Sequence, residues 1–263
     1  MNLPEVIFLG IVQGVTEFLP ISSSGHLVFF QSLLSMEEPP LFFDIMLHFG
    51  TLLAVVVYFW TDIWKIVRGI RTTLRGKKEG QEEAKLLLWI VLATLPTGLM
   101  GIFLKDWFES FFSRPKLVGV MLIVTGLVLW LTRWAKKEER NIGKMGWMDA
   151  LIIGIAQGLA IIPGISRSGA TISTGLFCGL DRELSGKFSF LLSIPAILGA
   201  ILLEFKKFDS GQQFLTLLIG TAIAFGVGIF SLKFLMKIIK FGEISKFSYY
   251  CAGVGGLMVF LAK

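Results

Sequence analysis

Two apolar segments of this chain are interrupted in the same way. Residues 13–25 (QGVTEFLPISSSG) and 157–169 (QGLAIIPGISRSG) each set a Gln-Gly, a proline and a Ser-x-Ser-Gly cluster inside an oily stretch. Backbone breakers at membrane depth are tolerated only where they are buried in protein or line a cavity. Matched interruptions in two halves of a chain point to a binding site where the repeats meet. The pattern therefore restricts the fold to an internally repeated helical bundle with its site between the two breaks.

The bundle belongs in a membrane. Charged residues are 17% of the chain, hydrophobic ones 54%, and the mean hydropathy is +0.74, against roughly 25% charged in soluble domains. Cys178 and Cys251 show neither a disulfide framework nor zinc spacing and read as packing residues. The first basic residue is Lys65, so no cleavable signal is expected. The net charge of +6 sits in a few loops, which membrane topology explains without a nucleic-acid partner.

Charge-free windows place six spans at 45–61, 86–104, 117–132, 188–203, 210–232 and 247–262. Residues 3–35 and 147–180 instead read as re-entrant helix–loop–helix hairpins that enter and leave by one face. On this topology eighteen basic residues fall on one side. They lie between Lys65 and Lys85, between Arg133 and Lys144, at Arg182 and Lys187, and between Lys233 and Lys246. Six fall on the other: Lys105, Arg114, Lys116, Lys206, Lys207 and Lys263. The asymmetry puts the eighteen in the cytoplasm and both termini outside. The Lys/Glu-rich stretch 75–85 reads as a solvated loop. Three crossings per half invert the second half relative to the first, so the hairpin tips meet from opposite leaflets. The expected architecture is all-α: one membrane domain over 1–263, with six transmembrane helices, two re-entrant hairpins and an inverted repeat (about 1–140 and 145–263).

The tips carry the residues able to do chemistry. Gln13 and Glu17, four apart, share a helical face. Glu17 is the only acid between Glu5 and Glu37, and an intramembrane carboxylate is costly enough to be a functional candidate by default. Ser22, Ser23, Ser24 and Gly25 make a backbone nest for an anion. His26 beside them is a candidate base or nucleophile. On the second tip, Arg167 is the sole cation between Lys144 and Arg182, and its planar fork suits phosphate oxygens. Ser166 and Thr171 flank it, while Ser168 and Gly169 read as the start of a half-helix, with Ser168 as N-cap and free N–H groups for an anion. His48, within FDIMLHFGT, reads as a structural histidine. Neither tip is a P-loop.

At these residues the chain resembles the bacterial undecaprenyl-diphosphate phosphatase, or bacitracin-resistance, family. QGVTEFLPISSSGH is similar to the family's (E/Q)xxxE and Ser/His segments, PGISRSGAT to its second motif, and FDIMLHFGT to a third segment. The resemblance implies hydrolysis of a polyprenyl diphosphate to the monophosphate and inorganic phosphate, recycling the lipid carrier of cell-wall synthesis. It further implies a site open to the outer face of the cytoplasmic membrane and dependence on a divalent cation, Mg²⁺ or Ca²⁺, held by Glu17. Some members carry Glu where this chain has Gln13, so Glu17 alone must supply the carboxylate chemistry.

The mechanism expected from these residues sets Arg167, the 166–171 N–H groups and the metal against the phosphates. The nucleophile is left open between Ser23 with His26 as base, His26 itself, and water. A lipid translocase is the main rival, because a carrier needs only the anion cradle. A structural scaffold would leave intramembrane Glu17 and Arg167 without a role. A homodimer is compatible with this reading, and no residue selects it.

Overall fold

Asn2 and Glu5 begin the first helix with reciprocal caps. The Asn2 side chain accepts from the Glu5 N–H, and the Glu5 carboxylate accepts from the Asn2 N–H. The helix they open, α1 (Leu3–Thr16), runs to a turn and returns as α2 (Ser23–Leu33). Then follow α3 (Leu41–Tyr58), α4 (Trp60–Leu74), α5 (Gln81–Phe103), α6 (Lys105–Phe112) and α7 (Pro115–Leu131). A second hairpin, α8 (Trp147–Leu159) and α9 (Arg167–Phe177), precedes α10 (Arg182–Glu204), α11 (Phe214–Phe241) and α12 (Phe247–Leu261). This computed structural model describes residues 1–34, 41–77, 79–135, 139–204 and 214–261. Lys78, Lys136, Lys137, Lys206, Lys207 and Lys263, counted above, lie outside the described residues, as do the span ends 210–213 and 262.

Among the described residues, five helices are long and apolar enough to cross a bilayer: α5, α7, α10, α11 and α12, the last extended by its preceding 3₁₀ turn. The α3–α4 pair makes a sixth candidate, bent by 68°. The chain is a multi-pass membrane protein.

Three details differ from the sequence expectation. The first span ends at Tyr58 rather than 61, and the chain bends at Phe59. The basic run beyond it is not loop but the amphipathic helix α4. Ile63, Ile66 and Ile70 recur at helical spacing and pack on the core, leaving Lys65, Arg68 and Arg71 on other faces. The short helix α6 was not foreseen; it forms because Phe108 and Phe111, three apart, are buried on one face.

Packing relates the halves by exchange. The first arm of each hairpin lies on a long span of the other half, α1 on α11 and α8 on α5, while α7 packs on α12 and α3 on α10. Small residues make these approaches close, as between membrane helices generally. A Cβ at Gly14 would stand 2.7 Å from Val227 of α11, and one at Gly154 would strike the Ala93 carbonyl of α5. Gly119 and Gly255 meet reciprocally across α7 and α12. The exchanged arms bring the two hairpin turns into contact.

Candidate active site

Each turn ends in the same cap. Ser22 accepts the Gly25 N–H at 3.2 Å, and Ser166 accepts the Gly169 N–H at 3.1 Å. Ser166, not Ser168, is therefore the N-cap of α9. Its extended backbone leaves its hydroxyl facing the first helical turn, whereas Ser168 already lies inside the helix. Ser22 has a φ of +65°, the one positive value among the described non-glycine residues. Such a conformation needs support, and the His26 ring supplies it, its Nδ1 2.8 Å from the Ser22 carbonyl. On the second turn Gly164 takes φ +95°, and Thr125 of α7 pins it by donating to the Gly164 carbonyl and accepting the Ser166 N–H.

Matched caps put Ser23 and Arg167 at the same place, the first residue of α2 and of α9. Both side chains reach Glu17. Ser23 Oγ donates to Glu17 Oε2 at 2.6 Å, and Arg167 Nη2 donates to Oε1 at 2.5 Å. Gln13 Nε2 adds a bond to Oε2 at 3.0 Å. The carboxylate side chain is 5% exposed and that of Arg167 16%, so this is a buried charge pair, with the Ser23 and Gln13 bonds to Oε2 adding to the stabilisation a buried carboxylate needs. The tips touch elsewhere too, where Ser168 Oγ donates to the Leu19 carbonyl at 3.3 Å.

A cavity of about 660 Å³ opens beside this pair. Glu17, Ser22, Ser23, Ser24, Ser166 and Arg167 line its polar end. The other expected site residues serve it from behind. Gln13, Ser168 and Thr171 are buried; Thr171 Oγ1 bonds the Arg167 carbonyl at 2.8 Å and Ser189 Oγ at 2.5 Å. Gly25 and Gly169 supply capped N–H groups. His26 does not line the cavity. The Ser22 carbonyl can only accept, so Nδ1 carries the proton, and Nε2 accepts from the Tyr250 hydroxyl at 2.8 Å. Ser23 is bonded to Glu17 rather than to His26.

His48, read as structural from sequence, is part of the cavity wall. Its Nδ1 donates to the Asp44 carbonyl at 2.8 Å, leaving Nε2 3.5 Å from Glu17 Oε2. Asp44 lines the cavity one turn away and is held by Gln31 Nε2 at 2.8 Å. The signal was present: Asp44 and His48 are four apart, hence on one helical face. What sequence could not provide was the packing of α3 beside α1, which brings this face to the first hairpin.

Among the described residues no three His, Cys, Asp or Glu side chains cluster as metal ligands. The donors around Glu17 nonetheless suit a hard cation that also takes waters and phosphate oxygens. They are the carboxylate, the Ser23 hydroxyl, and Gln13 Oε1, which is buried without a hydrogen-bond partner. Arg167 Nη1 is likewise buried and without a partner among the described residues. Arg167 lines the cavity, and a guanidinium arm without a partner suits an oxyanion that enters it.

Several known proteins are similar to this chain from end to end. A protein named undecaprenyl-diphosphatase from Halothermothrix orenii is 44% identical over 100% of this chain and 99% of its own length. Its namesake from Desulfosudis oleivorans is 47% identical over 97% of each, and one from Methanosphaera stadtmanae 41% identical over 100% and 99%. The family described as Bacitracin resistance protein BacA matches residues 6–257, and this chain belongs to it.

Proposed function

We propose that the protein hydrolyses a polyprenyl diphosphate, undecaprenyl diphosphate by the names of its relatives, to the monophosphate and inorganic phosphate. One observation carries this reading: a serine and an arginine from opposite hairpins converge on one buried carboxylate, in the wall of a cavity whose lining is mostly apolar. A lipid diphosphate has the same two-part character.

Arg167 holds Glu17 before substrate arrives. The diphosphate draws the guanidinium, whose Nη1 has no other partner, and the freed carboxylate accepts the Ser23 hydroxyl proton over their existing 2.6 Å bond. Ser23 Oγ attacks the terminal phosphorus, the P–O bond to the polyprenyl monophosphate breaks, and water then releases inorganic phosphate from the serine. Phosphoryl transfer asks mainly for positioning and charge stabilisation. Arg167 and the N–H groups at the start of α9 supply both. His26 keeps the tip in register through Ser22. A divalent cation held by Glu17, Ser23 and Gln13, when bound, would neutralise charge on the phosphates.

The site opens to the outer face on this reading. The cavity lies along the C-terminal halves of α5 and α10 and reaches α6, the ends that the asymmetry of basic residues assigns to the outside.

The test is phosphate release from undecaprenyl diphosphate by purified protein in detergent, with and without EDTA, followed by acid quench and peptide mapping. Cation-dependent release and a phosphorylated Ser23 are expected. Lipid movement in liposomes without phosphate release would replace hydrolysis by transport. Release without a trapped phosphoserine would remove Ser23 as the attacking group.

A further inference from the structure

The two oxygens of Glu17 face different company. Oε1 takes the Arg167 guanidinium. Around Oε2 stand Ser23 Oγ at 2.6 Å, Gln13 Nε2 at 3.0 Å and His48 Nε2 at 3.5 Å. In the phosphatase mechanism Ser23 and Gln13 have tasks, and the imidazole has none.

That imidazole is held so as to offer a lone pair. Its Nδ1 donates to the Asp44 carbonyl one turn back on α3, which fixes the tautomer and leaves Nε2 as the acceptor. A histidine that ligates a metal is ordinarily held in this way, its other ring nitrogen donating to a carbonyl or carboxylate. Nε2 and Oε2 then present lone pairs to each other at 3.5 Å, beyond the usual range of an N–H···O bond. Two donor atoms bound to one cation at about 2.1 Å stand roughly 3–3.5 Å apart, so the spacing is that of neighbouring ligands. The Gln13 amide agrees: it is 0% exposed, and its Oε1 has no hydrogen-bond partner among the described residues. Glu17 and His48 both line the cavity, which gives a hydrated ion access to them.

Oxygen donors alone suit Mg²⁺ and Ca²⁺, whereas an imidazole nitrogen moves the preference towards the first-row divalent ions. One nitrogen among the carboxylate, hydroxyl and amide oxygens keeps the site at the hard end of that row. We propose that His48 completes the cation site at Glu17 as a nitrogen ligand, and that the site takes Mn²⁺ or Fe²⁺ in preference to Mg²⁺ or Ca²⁺. The assignment rests on the phosphatase reading for the presence of a cation, and adds to it a ligand and the class of ion. Position 48 then selects the metal, although it lies outside both hairpins.

The probe is Mn²⁺, added to purified protein whose affinity tag has been removed. The chain has two histidines, and both ring nitrogens of the other, His26, are engaged by Ser22 and Tyr250. Pulsed EPR of bound Mn²⁺ should therefore show modulation from one histidine nitrogen, identified by its shift when the protein is grown on heavy-nitrogen histidine. In His48→Gln the modulation should vanish, and the Mn²⁺ dissociation constant should rise by about tenfold or more. The Mg²⁺ constant, read by competition, should move by less than about threefold, because glutamine offers an oxygen in place of the nitrogen. Failure to bind Mn²⁺, bound Mn²⁺ without a histidine signal, a signal that survives in His48→Gln, or equal losses for the two ions would overturn the assignment. The isotope measurement on wild-type protein decides even where His48→Gln does not fold. Wild-type protein that holds Mn²⁺ through His48 but releases no phosphate from undecaprenyl diphosphate would sink the phosphatase reading and spare the site. Phosphate release with Mg²⁺ by a protein that shows no histidine signal would do the reverse.

Discussion

Replacing Arg167 by lysine separates its two roles. The guanidinium gives one arm to Glu17 at 2.5 Å, while the other arm, Nη1, is buried with no partner among the described residues. Lysine retains the charge and a donor for Glu17 but has no second arm at a fixed angle. The pair itself should survive, so the thermal unfolding midpoint in detergent should stay close to wild type. Turnover should not. A hydrogen bond to a charged group contributes about 1.5–3 kcal/mol, and losing one preorganised donor to a reacting oxyanion typically costs ~10²–10³ in rate. We therefore expect Arg167→Lys to lose roughly a hundredfold in kcat/KM for undecaprenyl diphosphate at nearly unchanged stability. Arg167→Ala should lose both, because a buried pair broken from one side costs about 3–5 kcal/mol. Phosphate release and unfolding would be followed on the same preparations. An Arg167→Lys protein with wild-type turnover would refute the idea that the bare arm binds phosphate. One as unstable as Arg167→Ala would show that arm to be structural.

Glu17→Gln keeps the shape and removes the charge that Ser23, Arg167 and Gln13 converge on; phosphate release should drop below detection, and retained turnover would exclude Glu17 as the acceptor of the Ser23 proton. At position 26, asparagine preserves a donor near the place of Nδ1, while alanine does not. If His26 acts by holding the Ser22 carbonyl, His26→Asn should be several times more active than His26→Ala, and two equally dead variants would return His26 to the chemistry. Gly154→Val should cost about 1–3 kcal/mol by overpacking, since its Cβ meets the Ala93 backbone of α5; an unchanged unfolding midpoint would contradict the close approach of α8 to α5.

Much of this protein could be read without coordinates, for a physical reason. A membrane-embedded backbone has no water to bond, so charge-free windows must be helices, and Pro, Gly and Ser inside them must mark breaks that protein protects. Residues 13–25 and 157–169 announced both hairpin turns on that ground, and isolated charges at Glu17 and Arg167 announced that the turns meet. Periodicity also held the clue to α4, where Ile63, Ile66 and Ile70 recur at helical spacing among the basic residues. Charge counting hid it.

Orientation within the site was a different matter. Sequence placed His26 next to the serines, but which way an imidazole points depends on what stands across from it, here the Tyr250 hydroxyl 224 residues away. His48 lay outside both motifs and faces Glu17 only because α3 packs beside the first hairpin. That one arm of Arg167 has no partner among the described residues is likewise decided by what the neighbouring helices place around it. Local sequence determined the helices, their breaks and the acid–guanidinium pair, because solvation and backbone hydrogen bonding act residue by residue. Only the packing of distant helices decided which side chains face the cavity and where it stays empty, because direction and space are set by non-local contact.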